Sequence, residues 1–583
     1  MRENDIIDKK CDTAKRYCRA LYDIMTAKGV KDIVLSPGSR NAPLLIGAKC
    51  RKELNERIIL DERTAAFIAL GIAMQTQRPV AIACTSGTAL YNYAPAVAEA
   101  MYQSIPLIVI TADRPKEWID QDDSQTLRQF EALEKIVKKS YDIPVERKEV
   151  SDTDWYVNRI VNEAMNLACS GKKGPVHINI QFDNPLAETV PYKESFPRIV
   201  SLLDEYDFSQ IQYDRIADKI RKKKVLVTAG FMQPDYLLNK ALIQLGRFAN
   251  IKILCETISN LHLPGDSYAI DTILAPLECS EDESIRESLY PDLVISIGGS
   301  LVSRKLKEFI RRAPSCSTWT LSDTDVSVDC FKNLSAHFEI TPVKFFTGLV
   351  KAMKRLERRD RNGLKPNNGN SYFKCWEDVR LKAKIKQVSF LKNCIWSEIK
   401  AFEYIFSHLP QQSNIFLSNG TVVRYAQLFT TKQHHASFGN RGVSGIEGTS
   451  ATALGCALDY NGTTVLITGD MSFAYNPEIL ALGDICRRFK IILINNNGGA
   501  IFRFIPSTRT APDREELFCT RPPLAVQEMC ASLGWSYYCV DNETQNRSQF
   551  HKFIGDPGNS LIEYRFDGES SPDQLLEYMK LKI

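Results

Sequence analysis

The chain has 583 residues, too long for a single hydrophobic core and suited to about three to four domains. Its 74 basic and 70 acidic side chains leave a net charge of +4, too small to argue for a nucleic-acid or membrane partner. Sixteen scattered cysteines without a C-x-x-C pair suit reduced thiols in a cytoplasm better than a disulfide frame or a zinc site. The first ten residues lack the apolar core of a signal peptide, and no apolar run approaches the roughly 18 residues that span a bilayer. A cytoplasmic protein without membrane anchoring is expected.

In chain order, D-I-V-L-S, R-I-I-L, P-V-A-I-A-C, P-L-I-V-I-T and P-V-H-I-N-I alternate with amphipathic stretches, which predicts a parallel α/β domain over 1–195. A second series, K-V-L-V-T-A-G, I-K-I-L-C-E and D-L-V-I-S-I-G-G, predicts a smaller α/β domain over 196–353. It lacks a clean G-x-G-x-x-G, so nucleotide or flavin binding is unsupported there. The polar, Asn/Gly-containing stretch Lys354–Ser371 predicts a linker, taken as 354–396. A third series, N-I-F-L-S-N-G, T-V-L-I-T-G-D, I-I-L-I-N-N-N and S-L-I-E-Y, predicts another α/β domain over 397–583. The fold class is therefore three parallel-sheet α/β domains of about 180 residues each.

Two motifs carry chemistry. In the third series one strand delivers Gly469 and Asp470 at its C-terminal end, and a crossover later a second delivers Asn495, Asn496 and Asn497. Ends of neighbouring parallel strands meet, and a carboxylate, an amide oxygen and a backbone carbonyl would supply part of the octahedral oxygen shell of Mg²⁺ beside a diphosphate. In the first series, L-D-E-R-T-A-A places Asp61, Glu62 and Arg63 where a strand ends and an apolar helix begins. Acids there are explained by capping and the helix dipole. Alternatively, a buried Glu62 shares a proton with a ring nitrogen of an aminopyrimidine and so activates a neighbouring carbon acid. Arginines also recur at strand ends, Arg40 and Arg114 among them, and their guanidinium forks suit carboxylates. The pair His434–His435 is given no role: neighbours on an extended strand face opposite sides, and no third ligand is apparent.

The runs L-S-P-G-S-R-N-A-P-L, D-E-R-T-A, T-S-G-T-A, T-A-D-R-P, S-Q-T-L-R-Q and N-R-G-V-S-G-I-E-G, with G-D-M-S and N-N-N-G-G, resemble in order those of the SEPHCHC synthases of menaquinone biosynthesis. The likeness spans most of the chain and is weakest in the middle domain. It implies the thiamine diphosphate-binding fold and a reaction in which 2-oxoglutarate is decarboxylated and its succinyl unit is added to isochorismate. It also implies Mg²⁺, with Mn²⁺ as an alternative, and a homodimer or homotetramer whose cofactor sites are shared between subunits. The pyrimidine would be contacted by the first domain and the diphosphate by the third.

By resemblance, Glu62 handles the cofactor protons, and Ser39, Arg40, Arg114 and Gln125 contact the acceptor or the bound intermediate, with Arg424 and Arg441 approaching from the third domain. Asp470, Asn496 and the carbonyl of Gly498 would hold the metal, with Asn497 and Gly499 as an alternative register. Asn419, Gly420, Thr421, Met471 and Ser472 would receive the diphosphate, Ile446 would prop the bent cofactor, and Ile501 and Phe502 would pack the pyrimidine. Two departures stand out. Arg304–Lys305 inverts the family's Lys–Arg order, and Gly420 replaces a serine, so that either Thr421 supplies the hydroxyl or Gly420 contributes its amide alone.

Overall fold

The computed structural model describes all residues except 1–10, 147–150, 194–196, 201–206, 265–268, 324–327, 360–371, 430–435 and 487, and the side chains of 151–153 and 484. The pair His434–His435 lies outside the described residues. Three parallel sheets account for the three apolar series. In space the first runs Asn55–Ile58, Asp32–Leu35, Val80–Cys84, Leu107–Asp113, Val176–Gln181, Ser140–Ile143. The third runs Ala436–Phe438, Asn414–Leu417, Thr464–Gly469, Phe489–Asn495, Ser560–Arg565, Ser536–Val540. Numbered within each sheet, both have the strand order 2-1-3-4-6-5. The middle sheet, Ile251–Cys255, Val225–Ala229, Leu293–Ile297, Ser317–Ser322, Leu334–Glu339, follows the same plan as 2-1-3-4-5.

The central strands are buried along their whole length, as in V-A-I-A-C (80–84) and L-I-V-I-T-A-D (107–113). Covered on both faces, they read as continuous apolar runs rather than alternating ones, which is what a parallel sheet demands. The first sheet's core includes Tyr22, Ile33, Ile108 and Ile178. The middle sheet has one apolar cluster around Val227, Ile295 and Phe345, and another around Leu226, Val294 and Trp376.

These sheets are distributed over two compact units. One comprises residues 1–204 with 442–461, the other 205–441 with 462–583. In the first unit the helix Glu62–Thr76 packs along the helix Thr449–Leu458, the latter reached only late in the chain. Small residues make the close approach possible. A Cβ on Gly71 would lie 2.1 Å from the Thr452 carbonyl oxygen, and one on Gly455 would lie 2.2 Å from that of Ile68. Cys456 Sγ lies 3.3 Å from the Gly71 carbonyl at the same crossing. Glu99, buried on the helix Ala94–Gln103, accepts hydrogen bonds from the Gly442 and Val443 amides (2.6 and 2.8 Å) and so anchors the start of this late segment.

The segment expected to be a linker, 354–396, is a correction. The helix Pro342–Arg359 runs into it, and the 22-residue helix Tyr372–Asn393 occupies most of the rest. Tyr372, Trp376 and Val379 join a middle-domain cluster, while Gln387 Nε2 donates to the Leu428 carbonyl and the Tyr578 hydroxyl. Of the polar stretch Lys354–Ser371 that suggested a linker, 354–359 end the helix Pro342–Arg359 and 360–371 lie outside the described residues.

Gly71→Val should wedge the two helices apart. The expected cost is about 1–3 kcal/mol, read as a lowered denaturation midpoint. Gly555→Ala, at a helix end where a Cβ would meet nothing within 4 Å, should leave the midpoint unchanged or slightly raised.

Candidate active site

At the topological switch point of a parallel sheet the loops leaving strands 1 and 3 diverge, and the crevice lies beyond their C-terminal ends. In the first sheet those loops are Ser36–Arg40 and Thr85–Thr88. A Cβ on Gly38 would fall 2.4 Å from Thr85 Cβ, so only glycine lets the loops approach so closely. Arg40 is 8 % exposed and donates from Nη1 to the Phe182 carbonyl (2.8 Å). Its pKa is lowered by burial and then by Arg114, which places two guanidinium groups close together. Arg114 pairs with Asp123, and its amide donates to Asp113 Oδ1 (2.8 Å). Ser39 and Gln125 are exposed at the same end of the sheet, and Gln125, held at φ +54°, faces Gly87.

The two acids at the start of the helix Glu62–Thr76 have separate jobs. Asp61 is the N-cap and accepts from the Thr64 amide (2.7 Å), which leaves Glu62 free of capping duty. Glu62 is half-buried rather than fully buried, and lies close enough to Cys84 and Tyr93 to help burial raise their pKa values. Ile446, in the late segment of this unit, is also half-buried.

Beneath Arg40 and Arg114 is a polar network that motif reading missed. Asn179 Nδ2 donates to both Asp113 Oδ2 and Asp142 Oδ1 (3.0 and 2.9 Å). Gln129 donates to Asn179 Oδ1 (3.1 Å) while accepting from the Gly87 amide (2.7 Å). The network joins strand ends that carry three of the resembling runs. Polar residues inside otherwise apolar strands, such as Asn179 in V-H-I-N-I-Q, were the available signal.

In the second unit the third sheet's switch point brings together the loop after Leu417 and the loop after Gly469. Among the described residues, neither Gly420, at φ +96°, nor Gly469 has an atom beyond its chain neighbours within 4 Å of the position a Cβ would take. Both open into free space at the ends of adjacent strands. The positive φ at Gly420 strains any side chain there, so this position suits glycine. Asn419 joins this loop to the next one: its Nδ2 donates to the Asn440 carbonyl (2.8 Å), and its Oδ1 accepts from Arg441 Nη1 (2.6 Å). Thr421 is half-buried at the turn that follows.

Asp470, Asn496 and Gly498 form one cluster. Asp470 is 6 % exposed and accepts from the Met471 amide through Oδ1 and the Gly498 amide through Oδ2, both at 2.8 Å. The expectation that the Met471 amide is open to a diphosphate therefore needs correction, since Asp470 already takes it. Ser472 is buried in the next position. Asn497, Gly498 and Gly499 all have positive φ (63°, 103° and 75°), and a Cβ at Gly498 would lie 2.7 Å from the Cys519 carbonyl oxygen. Asn496 is buried beside Asp470 and Asn497 only half-buried, which favours the register Asn496 with Gly498. Ile501 and Phe502 are half-buried just beyond, with Phe502 against the Phe518 ring.

A basic cluster lies in the same unit. The pKa of Arg424 is pulled down to about 10 by burial and then by Arg304 and Arg441, so three guanidinium groups share this region. Arg304 and Lys305 open the helix Arg304–Arg312, whose first turn has no acid, although the positive end of a helix dipole disfavours cations. Being consecutive on a helix they diverge, and Lys305 ends in an ion pair with Glu278 (2.6 Å). The swapped order thus leaves the arginine, not the lysine, beside Arg424. Two buried acids lie nearby, Glu256 accepting from the Val302 and Ser303 amides and Asp271 from the Ser303 hydroxyl. Sequence reasoning missed both, and also Glu398, a fully buried carboxylate next to Asn496.

Residues 15–132 match the N-terminal, and 418–564 the C-terminal, thiamine pyrophosphate-binding domain of thiamine pyrophosphate enzymes. A 2-succinyl-5-enolpyruvyl-6-hydroxy-3-cyclohexene-1-carboxylate synthase from Porphyromonas gingivalis is 38% identical over 90% of this chain and 89% of its own. The synthases of the same name from Flavobacterium johnsoniae and Christiangramia forsetii are 36% and 34% identical, over 90% and 96% of this chain and 91% and 97% of theirs. The chain belongs to the SEPHCHC synthase family. As a SEPHCHC synthase-family member it is a thiamine diphosphate enzyme. Its residues fit that cofactor, because the donor set at Asp470, Asn496 and Gly498 is all oxygen and suits a hard divalent ion, and the open glycines 420 and 469 leave a cradle beside it.

The buried acids give this unit a pH signature. Burial pushes Glu256 up to about 7 from 4.5, against the Val302 and Ser303 amides, and Asp271 up to about 6 from 3.8. Both are protonated in the folded protein at pH values where the unfolded chain has released the protons. Their stabilising contribution is complete below about pH 4 and is lost as pH rises towards 7. Glu256→Gln should flatten the fall of the denaturation midpoint between pH 5 and 7, a difference on the order of 3 kcal/mol.

Proposed function

We propose that the protein decarboxylates 2-oxoglutarate and adds the succinyl unit in 1,4 fashion to isochorismate, forming SEPHCHC for menaquinone biosynthesis, with Mg²⁺ or Mn²⁺ beside the thiamine diphosphate. The observation that carries this reading beyond thiamine chemistry in general is the group Arg304, Arg424 and Arg441, three guanidinium groups close enough for two of them to lower the pKa of the third. The two substrates bring four carboxylates, and forked guanidinium groups bind carboxylates in pairs of hydrogen bonds.

Bound thiamine diphosphate supplies a carbon nucleophile that also serves as the electron sink for decarboxylation. Asp470, Asn496 and the Gly498 carbonyl hold the ion, and the Asn419–Thr421 turn with Ser472 lies against the diphosphate. Glu62 holds and returns the proton at the aminopyrimidine ring nitrogen, which Ile446, Ile501 and Phe502 position. Arg40, Arg114, Ser39 and Gln125 bind and orient the acceptor carboxylates. Arg424 and Arg441, with Arg304, neutralise the carboxylate of the donor chain and the charge that develops as the new bond forms.

The active unit in this reading is a homodimer, or a homotetramer made of two, in which Glu62 of one subunit serves the cofactor whose diphosphate another subunit holds. Support comes from the half-buried state of Glu62 and from apolar side chains left exposed in the same unit, Leu60 at 81 %, Tyr102 at 67 % and Tyr91 at 48 %. A cytoplasmic location accords with sixteen free cysteines and with the absence, among the described residues, of any helix long and apolar enough to cross a membrane.

Incubation with 2-oxoglutarate, isochorismate, Mg²⁺ and cofactor should release carbon dioxide and the coupled product together; carbon dioxide alone would overturn the synthase reading. Glu62→Gln should slow hydrogen exchange at the thiazolium carbon by about 10²–10⁴-fold, followed by NMR, with circular dichroism unchanged. Arg304→Met should raise the KM for a carboxylate substrate by about tenfold or more, the loss of one charge-assisted hydrogen bond. Lys305→Met, which breaks the pair with Glu278 and leaves the three arginines in place, should leave KM near the parent value.

A further inference from the structure

Asn496 is placed by a residue far away in sequence. Glu398, the first residue of the helix Glu398–His408, is 1 % exposed, and its amide donates to Ser571 Oγ (2.9 Å). Its Oε1 accepts from Asn496 Nδ2 (3.1 Å), and its Oε2 is buried with no hydrogen-bond partner among the described residues. The other side of the Asn496 amide, Oδ1, accepts one hydrogen bond, from the Ala500 amide (3.1 Å). A carboxamide oxygen has two lone pairs, so one remains free.

A carboxamide can be turned over with little change of shape, which exchanges an oxygen for an NH₂. At a metal-ligating position the two outcomes are opposite, since only the oxygen can coordinate a cation. Hydrogen bonding to a carboxyl acceptor at Glu398 holds the NH₂ on that side, and the Ala500 amide requires an acceptor on the other. Together they fix one orientation. Burying a carboxyl with an unpartnered oxygen is costly, and a helix start needs no such group when Ser571 already receives its amide.

We propose that Glu398 is a positioning residue that fixes the Asn496 amide with its oxygen towards the ion, and so sets divalent-metal affinity. This rests on the reading of Asp470, Asn496 and Gly498 as the metal ligands. The role is one of orientation, carried by an acceptor atom rather than by charge.

The test is Mn²⁺ binding by the full-length protein with thiamine diphosphate, counted by electron paramagnetic resonance, alongside apoprotein thermal midpoints. Glu398→Leu should weaken Mn²⁺ binding by about 10- to 100-fold, as expected for loss of a group that orients a ligand. The apoprotein midpoint should stay near the parent value, because removing a half-partnered buried carboxyl offsets the Asn496 donor left unpaired. Glu398→Gln, which keeps an acceptor oxygen, should recover most of the affinity. Equal weakening in both variants, or parent-like affinity in Glu398→Leu, would overturn the inference. Should Glu398→Leu not fold, Asn496→Asp and its combination with Glu398→Gln decide: the combined variant, which supplies an amide donor to the new carboxylate, should bind Mn²⁺ more tightly than Asn496→Asp alone, and equal or weaker binding overturns it. Asp470→Ala separates the two readings. If it binds Mn²⁺ as the parent does, the ligand assignment fails; if it loses binding while Glu398→Leu keeps it, only the role of Glu398 fails.

Discussion

A parallel strand ends with its last carbonyl, and the loop that follows it, on the same edge of the sheet as its neighbours' ends. When the order is 2-1-3-4, the connections from strands 1 and 3 leave in opposite directions and cannot fill the space between them. All three sheets of this chain share that order. In the first and third, the side chains proposed to act fall at those edges: Arg40 after strand 1 and Arg114 after strand 4 of the first sheet, Asn419 after strand 1, Asp470 after strand 3 and Asn496 after strand 4 of the third. The glycines at 38, 420 and 469 follow from the same geometry, one because two loops nearly touch and two because the space beside them stays open.

Gathering functional groups at a strand edge also buries charge, and each unit answers with its own hydrogen-bonding partners. Asp470 is surrounded by backbone amides, Glu256 by two more, and Asp113 by Asn179 and the Arg114 amide. Burial still pushes Asp113 and Glu256 up to about 6 and 7. The arginines show the complementary strain, since the pKa of Arg424 falls to about 10 when burial and two other guanidinium groups act on it together. A fold selected for stability alone would pair or remove such groups.

The strands were legible because burial on both faces writes itself as uninterrupted apolar sequence, and Asp470 and the asparagine triplet were legible because they sit directly after such runs. Within the triplet the sequence is degenerate, and only the burial of Asn496 and the Gly498–Asp470 hydrogen bond distinguish the positions. Other features were not legible because they depend on contacts between distant residues. The acid pair Asp61–Glu62 reads as two capping candidates until one is seen to bond Thr64. The helix Tyr372–Asn393 was hidden by the polar, Asn/Gly-containing stretch just before it, which led the linker to be drawn through to 396. Glu398 looked like an ordinary acid at a helix start, since nothing local announces that its partner lies 98 residues away.

The late segment 442–461 shows how a short stretch distant in sequence is fixed to a unit. It leaves the unit that holds Arg441 and belongs to the one that holds Glu62, where Glu99 binds its first two amides and Gly448 lies against Phe67. An apolar contact alone would fix such a segment loosely, because small residues at Gly71 and Gly455 offer little area. What fixes it is backbone approach, with side chains removed on both helices, and a buried carboxylate whose loss would strand two amides. Ile446 is held between these anchors. The short loop that carries Ile446 is thus tied at both ends, a footing that the small apolar contacts alone would not supply.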